Sequence, residues 1–273
     1  MNYYYLISGL PDLEPTTDVS KIDAFETIDT IQRNLEPVDY LQFKYLLYPR
    51  DNRNLLNRLC QKYHNFPQQP YLRPVSVAQE VMDDYRTNRS MLPSYMSEFL
   101  SLYEDQFTSM VPRDMENKLE YRFYDQLKRQ SLFIKEYYEF EKTLKEILAA
   151  YNASYYDFLP SPDLADNAVF NQLGKGKGTS SEMIRQYPFI ESIIEKFETK
   201  KPIELENFIT QIKWDYLSET RSGFSSEQVF AYTLKLLLVI DINVRDADQG
   251  KSRFKTLQQS IKSNVDSPLI SSV

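Results

Sequence analysis

The sequence predicts an all-α protein, an elongated multi-helix bundle with one very long helix over about residues 113–150. Three observations carry that expectation. Glycine is scarce, 6 in 273 residues, which leaves few sites for the left-handed turns a many-stranded sheet needs. Apolar residues recur three or four apart over long stretches, the period of one helix face. From Arg113 to Leu159 there is neither Gly nor Pro, the two strongest punctuators of regular structure.

Taken in order, Tyr3-Tyr4-Tyr5-Leu6-Ile7 has the composition of a strand and stops at Gly9 and Pro11. A helix is expected from near Asp18, whose carboxylate can cap the first free amides. Val19, Ile22, Phe25, Ile28, Ile31 and Leu35 form its apolar stripe. Pro37 ends it; a second helix runs from about Val38 to Tyr48. A third starts near Asp51, with Leu55, Leu56, Leu59 and Tyr63 inward. Pro67, Pro70 and Pro74 make Asn65 to Pro74 an extended connector. Ser76 reads as the cap of a short helix, with Glu80 near the back-bonding position. Another helix is expected over Ser94 to Thr108.

In the long element, residues from Met115 and Leu119 through Phe133, Tyr137 and Phe140 to Ile147 and Tyr151 keep one helical face. Unbroken to Ala150, it would be on the order of 55 Å long. A bundle backbone is favoured over a lever spanning an assembly, and Gln130-Ser131 is its weak point. Pro160 and Pro162 end the unit, and Gly174-Lys175-Gly176-Lys177-Gly178 is expected to be a mobile loop. Helices follow over about 182–199, 203–219 and 226–240, then a polar helix over 251–262 and a frayed Ser-rich end. No internal repeat at a fixed short period and no strong composition shift stands out, so residues 1–273 are read as one domain. A lobe boundary is placed at the Pro/Gly-rich segment 160–180.

Composition bounds the function. An apolar fraction of 42% suffices for a sizeable core. The 21 Tyr and 16 Phe suit helix seams and protein interfaces. A net charge of −7 argues against general nucleic-acid binding. Cys60, the single cysteine, excludes an intramolecular disulfide. The N-terminus lacks the basic region of a signal peptide. No run approaches the roughly 18–20 apolar residues of a membrane span, and Leu236 to Ile240 reads as core. A cytoplasmic protein is expected, one that can still dock on a membrane complex through partners.

Four constellations invite a chemical reading, and each has a plainer one. The Gly174 to Thr179 loop lacks the Gly-x-x-x-x-Gly-Lys-Ser/Thr spacing of a phosphate loop; a basic connector is favoured, with Lys175 and Lys177 as candidate partner contacts. Cys60 and His64 are four apart on one helical face, yet no further soft ligands accompany them for zinc, nor an orienting group for nucleophilic catalysis. Asp83-Asp84, Glu139/Glu141 and Asp246/Asp248 are read as solvated acidic faces. Trp214, within an amphipathic stretch, is read as core. No catalytic residue, metal, cofactor or small-molecule ligand is therefore expected.

A more specific pattern lies in Phe208 to Arg221, FITQIKWDYLSETR, with Phe224, Glu227 and the run Val229 to Leu236 after it, then Gly250-Lys251-Ser252-Arg253-Phe254. Phe140 to Ala153, the opening Tyr3 to Leu6 and Ser8 to Leu13, and Asp51-Asn52-Arg53-Asn54-Leu55-Leu56 complete it. Together these resemble a bacterial family found mainly in Bacteroidetes and encoded among the subunits of V-type ATPases. That family is similar in turn to the C subunit of V-type ATPases, called the d subunit in eukaryotes. The second likeness rests on helical character, length, the Asp-Asn-x-Asn-Leu segment and the spacing of Glu227 and Tyr232. It implies a funnel-shaped, non-catalytic rotor part that sits on the membrane proteolipid ring and receives the end of the central shaft. The tyrosine- and arginine-rich first helix usual in such rotor parts is replaced here by Tyr3 to Leu13. Two alternatives stand beside this one: a transient assembly or regulatory factor of the same complex, and a small-molecule hydrolase or transferase.

Overall fold

The structure is a computed structural model that describes residues 2–155, 181–199, 202–219 and 223–244. It is all-α, and no strand occurs among the described residues. Helices α1 (Tyr4–Gly9), α2 (Ala24–Asn34), α3 (Pro37–His64), α4 (Gln79–Asp83), α5 (Ser94–Tyr103), α6 (Pro112–Leu127) and α7 (Leu132–Tyr155) precede α8 (Ser181–Gln186), α9 (Ile190–Glu198), α10 (Pro202–Glu219) and α11 (Ser226–Val244).

The long element expected over 113–150 is two helices. The break falls at 128–131, where Ser131 N–H donates to the Gln42 side chain at 3.0 Å instead of continuing a helix. Gln130 is held there too, by the Tyr45 hydroxyl at 2.9 Å and by Gln42 at 3.0 Å. The longest helix is instead α3, 28 residues starting on Pro37, where the missing N–H costs nothing. It ends on Asn65, whose φ of 55° reverses the chain.

The two helices expected on either side of Pro49 are therefore one. A proline inside a helix removes the hydrogen bond to the carbonyl four residues earlier, here that of Tyr45. The Tyr138 hydroxyl on α7 donates to this carbonyl at 2.7 Å, so the group Pro49 would orphan is satisfied by a neighbouring helix.

Three further local expectations are corrected. Tyr3 to Ile7 enters a helix, because Tyr3 is fixed by its hydroxyl to Asp39 at 2.5 Å and by its amide to Phe224 at 2.6 Å, with no strand to pair with among the described residues. Helix α2 begins after Asp23, whose carboxylate accepts Glu26 N–H at 2.9 Å; residues 19–21 form only a 3₁₀ turn. Ser76 caps nothing, since α4 starts later, after Ala78.

The main core joins α2, α3, α5, α6, the first half of α7 and α11. Phe230 of α11 lies between Phe43 of α3 and Phe133 of α7, ring centroids 6.4 and 6.1 Å away. The second half of α7 leaves that core. Leu144 packs with Ile193 and Ile212, and Ile147 with Met183 and Ile190. Helix α7 is thus a shared spine between a large core and two small ones. The lobe boundary expected at 160–180 lies outside the described residues.

The N-terminal stretch runs along α11. Besides the Tyr3–Phe224 bond, Tyr232 donates to Pro11 O at 2.9 Å and Asn243 donates to Thr17 O at 3.0 Å. Asn243 Oδ1 also accepts Val19 N–H at 3.3 Å.

Candidate functional site

The middle of α3 breaks the usual division of a helix into an apolar and a polar face. Arg50, Asp51, Asn52 and Asn54 are all buried there beside Leu47 and Leu55. Buried polar groups need partners, and each of these has them. Asp51 accepts the amides of Ser76 at 3.1 Å and Val77 at 3.2 Å. Asn54 pairs with Leu72 in both directions, donating to its carbonyl at 3.0 Å and accepting its N–H at 2.9 Å. Asn52 accepts the Tyr95 hydroxyl at 2.8 Å. Arg50 donates to Arg73 O at 3.0 Å, to Leu237 O at 3.3 Å and to Asp241 at 2.5 Å. This polar knot nails the connector after α3 onto the helix and ties α3 to α11.

Asp51 is completely shielded from solvent. Burial pushes its carboxyl up to about 7, against the opposing pull of the two amides. A carboxyl so shifted is what an acid–base catalyst needs. This one is sealed beneath residues 76–77 and is not among the groups lining the groove described next.

That groove is an open concavity of about 1080 Å³ between α3, α6 and α7. Its apolar floor includes Leu56, Phe123, Leu127 and Tyr138, with Phe123 and Tyr138 edge to face at 5.0 Å. Its walls carry cations and carboxylates that largely neutralise one another. Lys128 meets Asp125 at 2.6 Å, Lys145 meets Glu120 at 2.7 Å, Lys142 meets Glu146 at 3.6 Å and Lys135 meets Glu139 at 3.9 Å. Glu141 pairs with Lys213 of α10, the two side chains 15% and 20% exposed. Burial works to raise the Glu141 pKa, but Lys213 and Lys145 outweigh it and hold the carboxylate below its usual range. Glu141 is therefore a half-buried ion-paired group, and the solvated-face expectation for Glu139/Glu141 holds only for Glu139, which is exposed. The groove offers most of its charged groups already paired, with Glu141 kept ionised.

The residues singled out from sequence fall elsewhere. Lys175 and Lys177 lie outside the described residues, as do Asp246, Asp248 and the helix expected over 251–262. Cys60 and His64 sit in the last turns of α3; burial raises the thiol, with the Glu116 charge adding to it. No group of three or more metal-ligating side chains gathers among the described residues. Asp83 pairs with Arg58 at 2.6 Å. Trp214 is buried, with Lys235 5.0 Å from its ring centre. The groove itself was not anticipated. Its signal lies in Lys128, Lys135, Lys142 and Lys145, seven, seven and three apart, each with a carboxylate three or four residues away.

Fold and groove define a helical protein with a paired-charge, aromatic-floored concavity on one face. The chain belongs to the DUF2764 family, described as proteins of unknown function, whose model matches residues 1–265. No curated protein and no solved structure matches. Among the described residues no helix is long and apolar enough to cross a membrane.

Proposed function

We propose that the chain is a non-catalytic subunit of a V-type rotary ATPase, an adaptor between the soluble central shaft and the membrane proteolipid ring. The observation that carries this reading is the groove. At about 1080 Å³ it is at the upper end of small-molecule sites. Most of its charges are neutralised in pairs, and Glu141 is held ionised, out of the range of a neutral-pH acid or base. A surface of that kind accepts a protein segment more readily than it activates a substrate.

The body suits such a part. Torque transmission needs stiffness, and α3 is about 42 Å of continuous helix, clamped at mid-length by the polar knot and by Tyr138. The likeness of Phe208 to Arg221, Phe140 to Ala153 and Asp51 to Leu56 to a family encoded with V-type ATPase genes supports a V-type ATPase as the complex. The protein would then be peripheral to the membrane through protein partners.

The test is affinity purification of the tagged protein from its native host in mild detergent, with mass spectrometry of what accompanies it. Stoichiometric recovery of headpiece, shaft and proteolipid subunits is expected. Substoichiometric recovery of the same subunits would favour a transient assembly factor. Recovery of the chain without any of them would sink the proposal.

A further inference from the structure

The lysines in the groove wall are matched to carboxylates, but Arg53 of α3 and Arg113 of α6 are not. Both are exposed, both line the groove, and neither has a carboxylate within 4 Å among the described residues. One wall carboxylate, Glu116, is likewise without a cation among the described residues, and its charge bears on Cys60. With the four lysine pairs of the wall cancelled, and Glu141 neutralised from outside the groove by Lys213, two cations face one carboxylate. Tyr121, 70% exposed, lines the same groove. Arg and Tyr are the residue types that carry most binding energy at protein interfaces.

We infer that the groove binds an acidic segment of a partner protein, its carboxylates taken by Arg53 and Arg113 and its apolar side chains laid against Tyr121 and the floor. A guanidinium offers a planar fork that matches a carboxylate in two hydrogen bonds. Two such forks on separate helices fix both the position and the direction of a bound segment. Because the whole chain carries −7, long-range steering opposes an acidic partner. Recognition must therefore come from these two short-range contacts, and removing them should be decisive. This inference rests on the groove being a docking surface, whichever complex the partner belongs to.

The test places a photo-cross-linking phenylalanine analogue at position 121 of the full chain in its native host. The cross-linked peptide is then sequenced, with and without R53E/R113E. A partner peptide with more Asp and Glu than Lys and Arg is expected. Charge reversal should lower the yield about tenfold or more, while R53K/R113K, which keeps the charge but loses the fork, should lower it by a smaller factor. Folding is a small concern, since both sites are exposed and a glutamate at 113 falls in the first turn of α6, where negative charge is favourable; an unchanged melting temperature verifies it. A neutral or basic peptide, a second copy of this chain, no cross-link, or a yield indifferent to charge reversal would each overturn the inference. An acidic peptide from outside any ATPase would leave the inference standing and remove the proposed function. Recovery of the ATPase without an acidic cross-link would do the reverse.

Discussion

Replacing Asp51 by asparagine tests whether the polar knot carries the electrostatic cost its burial implies. The carboxyl titrates at an ordinary 3.8 in the unfolded chain and at about 7 in the folded one. Its folded pKa is raised, so the folded protein binds more protons than the unfolded one between these values, and stability falls as pH rises across that window. The stabilisation is complete below the unfolded value and lost once pH passes the folded one. A separation of about three pKa units corresponds to about 4 kcal/mol. The asparagine of D51N cannot ionise, and its single carbonyl oxygen retains one of the two amides, a pH-independent loss of about 1 kcal/mol. Wild type should therefore be the more stable protein at about pH 4, and D51N the more stable by about 3 kcal/mol at about pH 8. At roughly 2–4 °C per kcal/mol for a chain of this size, the gap in melting temperature should swing on the order of 10 °C. Parallel melts followed by circular dichroism measure it. A gap that stays constant from acid to mildly alkaline pH would show that Asp51 is not titrating as a buried acid.

Asn54→Ala deletes both hydrogen bonds to Leu72 and leaves that backbone unpaired; urea denaturation should show a loss of about 2–4 kcal/mol. Tyr138→Phe should cost about 1–3 kcal/mol by orphaning the Tyr45 carbonyl, and clearly less in a Pro49→Ala background, where the alanine N–H takes over; equal costs in both backgrounds would refute the compensation. Glu141→Gln or Lys213→Met alone should each destabilise by about 2 kcal/mol, less than a fully buried pair because both side chains keep some solvent contact. A double-mutant cycle should return a coupling of about 1–2 kcal/mol, and additivity would remove the ion pair from the account.

The helical class and most helix positions were legible because apolar periodicity survives translation into packing: Ile28, Ile31, Leu55, Leu59, Met115 and Leu119 are all buried where their stripes put them. What failed were inferences in which a local rule met a distant partner. Pro49 breaks a helix by local rules, but Tyr138, nearly ninety residues on, supplies the missing donor. Ser76 has the side chain of a cap, but its amide is taken by Asp51 before any helix begins. Gln130-Ser131 was visible as a weak point, though not that Gln42 would hold the turn. The Asp-Asn-x-Asn-Leu segment stood out only through a resemblance. Its polar residues at helix-interior spacing signal partners outside the helix, without naming which backbone they bind.

The seam between the first twenty residues and α11 has a consequence for synthesis. Its partners are separated by 221 to 226 positions, so a chain leaving the ribosome at roughly 5–20 residues per second carries an unmatched N-terminus for on the order of 10–40 s. During that interval Phe43 and Phe133 lack the Phe230 ring that separates them in the finished core. The nascent chain is thus held incomplete until the last described helix emerges, which makes it a natural client for chaperones that shield apolar surface. A message cut short before Ser226 should yield a product that is degraded rather than a smaller folded protein.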